Sequence, residues 1–270
     1  MGLTMGVYAD LYRYRELFAS LFRRDLRAKY KGSVLGLAWS LAHPLLLMAV
    51  YLVVFSVLWK AAATDFDRYW LFLLCGLPAW VFFATSLQSA SRSLLENVDL
   101  IRKVRFPRQL VPLSSVATQV VAFAVMLGVV IALSLWLRPE ARGTVWLALP
   151  VAAVIVLFVG GFALLVASAN AVFRDVEHIV AALLLPWFFL TPILYRLEDV
   201  PGAASHPWLA DLIHWANPLT PAIESLRTPL FFGDPPPAAD LAYLLVATAA
   251  SLALGALVFI RADDRIAAEA

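Results

Sequence analysis

Six stretches of this chain contain no Asp, Glu, Lys or Arg: Val34–Trp59, Tyr69–Ser91, Leu110–Leu137, Gly143–Phe173, Ile179–Tyr195 and Leu241–Ile260. All 21 Lys and Arg and all 19 Asp and Glu lie outside them. A helix rises about 1.5 Å per residue, so roughly 20 apolar residues cross about 30 Å of hydrocarbon. Five of the stretches meet that length, and Ile179–Tyr195 sits at its lower limit. A soluble helix needs a polar face and these have none, so a chain that is 62% hydrophobic reads as membrane-embedded and not as an apolar soluble core. The expected fold is an all-α membrane protein with six transmembrane helices. It forms a single domain over 1–270: a cytoplasmic segment 1–33, a six-span core 34–260 and a cytoplasmic tail 261–270. No repeat of fixed period interrupts this organisation.

Orientation follows from the basic residues. Six spans put the N-terminus, loop 92–109, turn 174–178 and the C-terminus on one side, with 15 Lys/Arg and 10 Asp/Glu. The other side has 6 Lys/Arg and 9 Asp/Glu. The basic side is cytoplasmic, so both termini are expected inside. The net charge of +2 hides this asymmetry and gives no reason to expect nucleic acid. The first apolar run starts at Val34 and is too long for a leader's apolar region, so no cleaved signal is expected. Cys75 is alone and carries no redox information.

Before the first span, Leu11, Tyr14, Leu17, Phe18, Leu21, Phe22 and Leu26 fall on one half of a helical circle. Arg13, Glu16, Arg23, Arg24, Arg27 and Lys31 fall on the other, and Arg15, Asp25 and Lys29 break the pattern. Such a helix lies along the inner leaflet, with its apolar face in the acyl boundary. Loop 92–109 mixes five basic residues with Leu100, Ile101, Val104 and Phe106. A loop needed only for topology has no use for those apolar residues, whereas a short amphipathic helix docking in a partner's groove does; lying on the membrane surface is the plainer alternative. In the inner turn Arg174-Asp-Val-Glu-His178 the charges make either a solvated turn or a second contact.

The outer segment 196–240 contains two apolar patches, Trp208–Trp215 and Ala222–Phe232, broken by prolines and charges. Short helices re-entering the membrane fit this pattern, as does an interfacial hairpin. Glu224 and Arg227, three apart, can pair on one helix face. His43-Pro44 predicts a kink in the first span, and Pro186 and Pro192 a local opening of the fifth.

The chain contains no G-x-x-x-x-G-K-[ST] phosphate loop, no G-x-S-x-G, no H-E-x-x-H and no CxxC. His43, His178, His206 and His214 have no metal-ligand spacing. Acidic residues are absent from the spans, which argues against a proton- or sodium-coupled carrier. An enzyme is therefore not expected, and any energy for transport comes from another subunit.

Four segments, in order, resemble the ABC-2 type permease family, in particular the subunits that export O-antigen polysaccharides and teichoic acids. They are Arg24–Trp39, Glu96-Asn97 through Phe106-Pro107, Phe173-Arg174-Asp175-Val176 running to Thr191-Pro192-Ile-Leu-Tyr195, and Asn217-Pro218 through Arg227. The resemblance implies a homodimer in the bacterial inner membrane, bound to two copies of a separate ATPase that holds the ATP and Mg, with no cofactor in this chain. It implies a lipid-linked glycan as substrate, a coupling helix at Asn97, Leu100, Ile101, Lys103, Phe106 and Pro107, and a second coupling element at Arg174 and Asp175. Asn217, Pro218, Glu224 and Arg227 then belong to an outer gate. A sugar polymer's path wants aromatic faces against sugar C–H surfaces, for which Tyr51, Trp59, Phe82, Phe83, Trp187, Phe188 and Tyr195 are the candidates, although aromatics also anchor and fill membrane helices. A drug or small-lipid exporter of the same family, an intramembrane glycan-modifying enzyme and a scaffold subunit are the competing readings.

Overall fold

The structure, a computed structural model, describes residues 2–30, 68–197 and 207–269, with isolated positions between 38 and 53. Every regular element among the described residues is helical. The elements are α1 (Gly2–Arg13), α2 (Arg15–Tyr30), α3 (Tyr69–Glu96), α4 (Val98–Lys103), α5 (Leu110–Leu137), α6 (Ala148–Val172), α7 (Val176–Leu190), α8 (Pro207–Ala216), α9 (Leu219–Arg227) and α10 (Ala238–Glu269). Two 3-10 turns join α5 to α6, and α9 runs on into a π-helical turn, Thr228–Phe232.

Among the described residues four helices are long and apolar enough to cross a membrane: Tyr69–Glu96, Leu110–Leu137, Val145–Val172 and Ala238–Asp263. They coincide with the second, third, fourth and sixth charge-free stretches. The first stretch, with His43, Pro44, Tyr51 and Trp59, lies outside the described residues apart from isolated positions. The fifth forms only α7, 15 residues long and about 22 Å by helix rise. Pro186 is carried inside α7 without ending it. The helix stops at Leu190, because Pro192 disfavours helical geometry at Thr191, which is extended at φ −91° and ψ 130°. Beyond it the chain folds back as irregular but buried backbone through Thr191, Ile193 and Leu194.

α3 is the centre of the bundle and packs against α5, α6, α7 and α9. Its aromatic rings interlock with theirs: Phe82 stacks on Phe123 with centroids 4.8 Å apart, and Phe83 meets Trp187 edge-on at 5.1 Å. Among the described residues the most extensive helix pairing is α6 with α10, whose backbones meet at Gly161 and Gly255. A Cβ on Gly161 would stand 2.5 Å from the Leu252 nitrogen. Small residues let backbones approach in lipid, where tails compete equally for apolar side chains. The Ser251 hydroxyl donates to the Phe158 carbonyl at 3.0 Å across the same contact.

A second apolar cluster closes the inner end. Leu21 of α2, Leu94 of α3, Ile101 of α4, Leu110 of α5 and Phe259 of α10 are buried in it, with Leu11, Leu17 and Phe18 packed alongside. Part of the N-terminal apolar face is therefore covered by protein, with Leu21 4% exposed, while Tyr14 of the same face is 37% exposed. The Tyr8 hydroxyl donates to the Leu252 carbonyl at 2.8 Å, and burial pushes its pKa up to about 12.

Candidate functional site

On the inner face, α4 is a single short helix between the ends of α3 and α5. Asn97 precedes it and is tied down twice. The Arg24 guanidinium donates to Asn97 Oδ1 at 2.7 Å, and Asn97 Nδ2 donates to the Ser93 carbonyl at 2.8 Å. The amphipathic N-terminal segment and the predicted coupling helix are therefore one connected surface. Within it the apolar residues divide. Ile101 is 8% exposed and belongs to the inner cluster, while Leu100 and Phe106 are half-buried against that cluster. The outward apolar side chain is Val104, 48% exposed, beside exposed Lys103. A six-residue helix anchors itself through one face, so its apolar residues cannot all point to a partner.

The inner turn lies on the same side. Arg174 and Asp175 are exposed. The turn is held by Asn170, whose Nδ2 donates to the Ser91 carbonyl and whose Oδ1 accepts the Glu177 N–H, both at 2.8 Å. Arg92 Nε lies 3.5 Å from Glu177 Oε1. Asn170 was missed from the sequence; a lone carboxamide in a charge-free stretch was its only signal.

At the opposite end, α7 and α9 meet through Asn217. The Trp187 indole N–H donates to Asn217 Oδ1 at 2.9 Å, and Asn217 Nδ2 donates to Thr191 Oγ1 at 2.9 Å. The Leu219 N–H also reaches Asn217 Oδ1, at 3.1 Å. One side chain thus satisfies the first turn of α9 and the end of α7. Pro218 follows as the residue before α9.

Arg227 is fully buried. Its Nη1 donates to Glu224 Oε1 at 2.6 Å, the pairing expected from their spacing. Its Nη2 donates to the Pro192 and Ile193 carbonyls at 2.9 and 3.3 Å, and the guanidinium lies 3.9 Å above the Phe72 ring. The irregular chain after α7 has few intrahelical partners for its carbonyls, and Arg227 and the Tyr69 hydroxyl, which donates to Leu194 at 2.6 Å, supply them. α8 is latched to the start of α10 by His214 and Asp240, 2.7 Å apart; the hydrogen bond to Asp240 raises the His214 pKa.

The aromatic candidates divide as well. Phe82, Phe83 and Phe188 are buried inside the chain, where they fill the core and face no surface. Trp187 and Tyr195 are half-exposed, and the Tyr195 hydroxyl folds back to the Phe189 carbonyl at 3.2 Å. No group of three or more metal-ligating side chains occurs among the described residues.

Residues 16–231 match the family described as ABC-2 type transporter. The chain is 34% identical over 221 residues to the O-antigen export system permease protein RfbA of Myxococcus xanthus, covering 81% of each chain. It is 33% identical over 216 residues to a protein of the same name from Klebsiella pneumoniae, covering 78% of this chain and 79% of the relative.

Proposed function

Since this chain belongs to the ABC-2 type transporter family, we propose that it is the permease subunit of an ATP-driven exporter that carries O-antigen across the bacterial inner membrane. The observation that carries this reading is the 34% identity over four-fifths of the chain to a permease named for that export. The lack of a phosphate loop agrees with it, because ATP is then hydrolysed by a separate subunit.

In the full proposal the chain has six spans with both termini inside, Val34–Trp59 being the first and α7 the fifth. Two copies enclose the path, since a handful of helices from one chain leaves no room for a wide channel, and a twofold pair doubles the wall with one gene. Asn97 to Pro107, with Arg174 and Asp175, form the surface that two ATPase subunits push. ATP-driven closure of those subunits tilts this end of the bundle as a rigid body. Trp187 and Tyr195, with Tyr51 and Trp59, face the glycan, and Asn217, Pro218, Glu224 and Arg227 brace the outer gate. α8 and α9 are the re-entrant pair, supported by the burial of α9 against α3 and α10.

Deletion of the gene tests the reading. Surface O-antigen is lost while lipid-linked polymer accumulates inside, and plasmid-borne wild-type chain restores export. A deletion strain with normal surface polymer overturns it.

A further inference from the structure

Between α2, α3 and α5, on the inner half of the bundle, lies a cavity of about 480 Å³. Its size falls within the roughly 300–1,000 Å³ of small-ligand sites, but its wall is unlike theirs. Among the described residues of the wall only Ala28 and Val111 are apolar, and the others carry hydroxyl, carboxamide or charged side chains. It runs along α3 from Asn97 to Thr85, about 18 Å by helix rise, and so reaches from the inner surface into hydrocarbon depth. Polar side chains at that depth are costly and mark a ligand path.

The chemistry of the wall selects the ligand. Among the described residues the wall has one cation, Arg92, set against the carboxylates of Asp25 and Glu96 and facing Glu177, and Arg24 at the rim is held by Asp25 and Asn97. Each guanidinium already has a carboxylate beside it, so the described wall offers a ligand mainly uncharged hydroxyls and carboxamides. The Thr85 and Thr118 hydroxyls donate to the Val81 and Ser114 carbonyls at 2.7 and 3.0 Å, which leaves their lone pairs as acceptors. Ser89 and Ser115 share one hydrogen bond. Gln88 brings donors and an acceptor on a planar carboxamide, the pattern that matches two neighbouring hydroxyls of a sugar ring. Among the described residues no aromatic ring lines the cavity, and what they offer a ligand is hydrogen bonds.

We propose that this recess binds the uncharged hydroxyl face of a sugar, namely the lipid-proximal sugar residues of the glycan before they enter the path. The inference rests on the exporter reading. It separates sugar recognition, inside the bundle between α2, α3 and α5, from the aromatic candidates on the α7 side.

The test uses the full chain with its ATPase in host cells and in lipid nanodiscs. Benzoylphenylalanine at Gln88 is expected to cross-link to the host's lipid-linked glycan on illumination, and the same group at exposed Leu157 of α6 is not. Gln88→Leu and the isosteric Thr118→Val are each expected to lower surface polymer about tenfold at equal membrane abundance and equal copurification with the ATPase. In nanodiscs, lipid-linked glycan protects the Gln88 position from cross-linking to phospholipid, as does a free methyl glycoside at higher concentration, while polyprenyl diphosphate without sugar does not. Protection by sugar-free polyprenyl diphosphate as strong as by the glycan overturns the assignment, as does normal export in both variants. Should gene deletion itself leave surface polymer unchanged, the exporter reading fails first. Loss on deletion with normal export in the variants removes this inference alone.

Discussion

A methyl group on Gly76 would stand 2.6 Å from Nη2 of Arg227, so α3 gives up a side chain where α9 places its buried cation. The guanidinium is pinned there by Glu224, two carbonyls and the Phe72 face, and its far end has little freedom to yield. Gly76→Ala is expected to destabilise the outer end by about 1–3 kcal/mol, the usual cost of overpacking. Arg227→Met leaves Glu224 without its partner and costs about 3–5 kcal/mol, and the double change with Glu224→Met recovers the share owed to the unpaired carboxylate while the Pro192 and Ile193 carbonyls still lack their donor. Thermal melts of the purified chain in detergent read both. Equal loss in single and double variants would show that the ion pair is not what holds α9.

Asn217 joins three partners, and its removal strands two of them. Asn217→Ala leaves the Trp187 indole N–H and the Leu219 N–H without their acceptor. A buried donor left unmade costs about 1–3 kcal/mol. The expected signature is a lower Tm together with a red-shifted Trp187 emission as α7 loosens from α9. An unchanged Tm would mean that the apolar packing there suffices.

At the inner face, Val104 is the clean probe of partner docking. Leu100→Asp and Phe106→Asp disturb the chain's own cluster, so their loss of export mixes folding with docking. Val104→Asp and Lys103→Glu alter exposed positions. Each is expected to leave unfolding stability within about 0.5 kcal/mol of wild type and to weaken ATPase copurification about tenfold, or about 1.4 kcal/mol. Normal copurification in both would move the docking surface elsewhere.

The α6–α10 crossing predicts a contrast among glycines. Gly161→Ala forces a methyl against the Ser251 and Leu252 backbone and is expected to cost about 1–3 kcal/mol or abolish insertion of a stable chain. Gly128→Ala in α5 meets nothing within 4 Å and is expected to be neutral or slightly stabilising. Melting both variants beside wild type decides it.

The His214–Asp240 latch predicts a pH dependence with a definite sign. The folded-state pKa of His214 is raised above its ordinary 6.5, first by the hydrogen bond to Asp240 and then by the nearby Asp240, Glu224 and Asp211 charges. Its contribution is therefore complete below pH 6.5 and fades as pH rises through the raised value. Tm should fall as pH rises in that window, and the slope should vanish in His214→Gln. A slope of the opposite sign would show that the neutral ring is the bound form.

Reading the charges alone located four long helices correctly to within a few residues, and it identified the fifth stretch as the unusual one. It also paired Glu224 with Arg227, because helical spacing is local information. The burial of Ile101, Phe82, Phe83 and Phe188 could not be read from it. In a helix that is apolar all round, no polar face marks which side meets lipid and which meets protein, so pattern is silent on burial. Gln88 and Gln119 escaped notice for a related reason: an uncharged polar residue does not interrupt a charge-free stretch.

The order of apolar stretches was determined by sequence, since the cost of placing charge in hydrocarbon dominates every local choice. Tertiary structure decided the rest. Arg227 can be buried only because Gly76 leaves space, Glu224 supplies charge, and the backbone at Pro192 and Ile193 supplies carbonyls. Those groups come from three separate parts of the chain, and only packing them together offsets the desolvation of the cation.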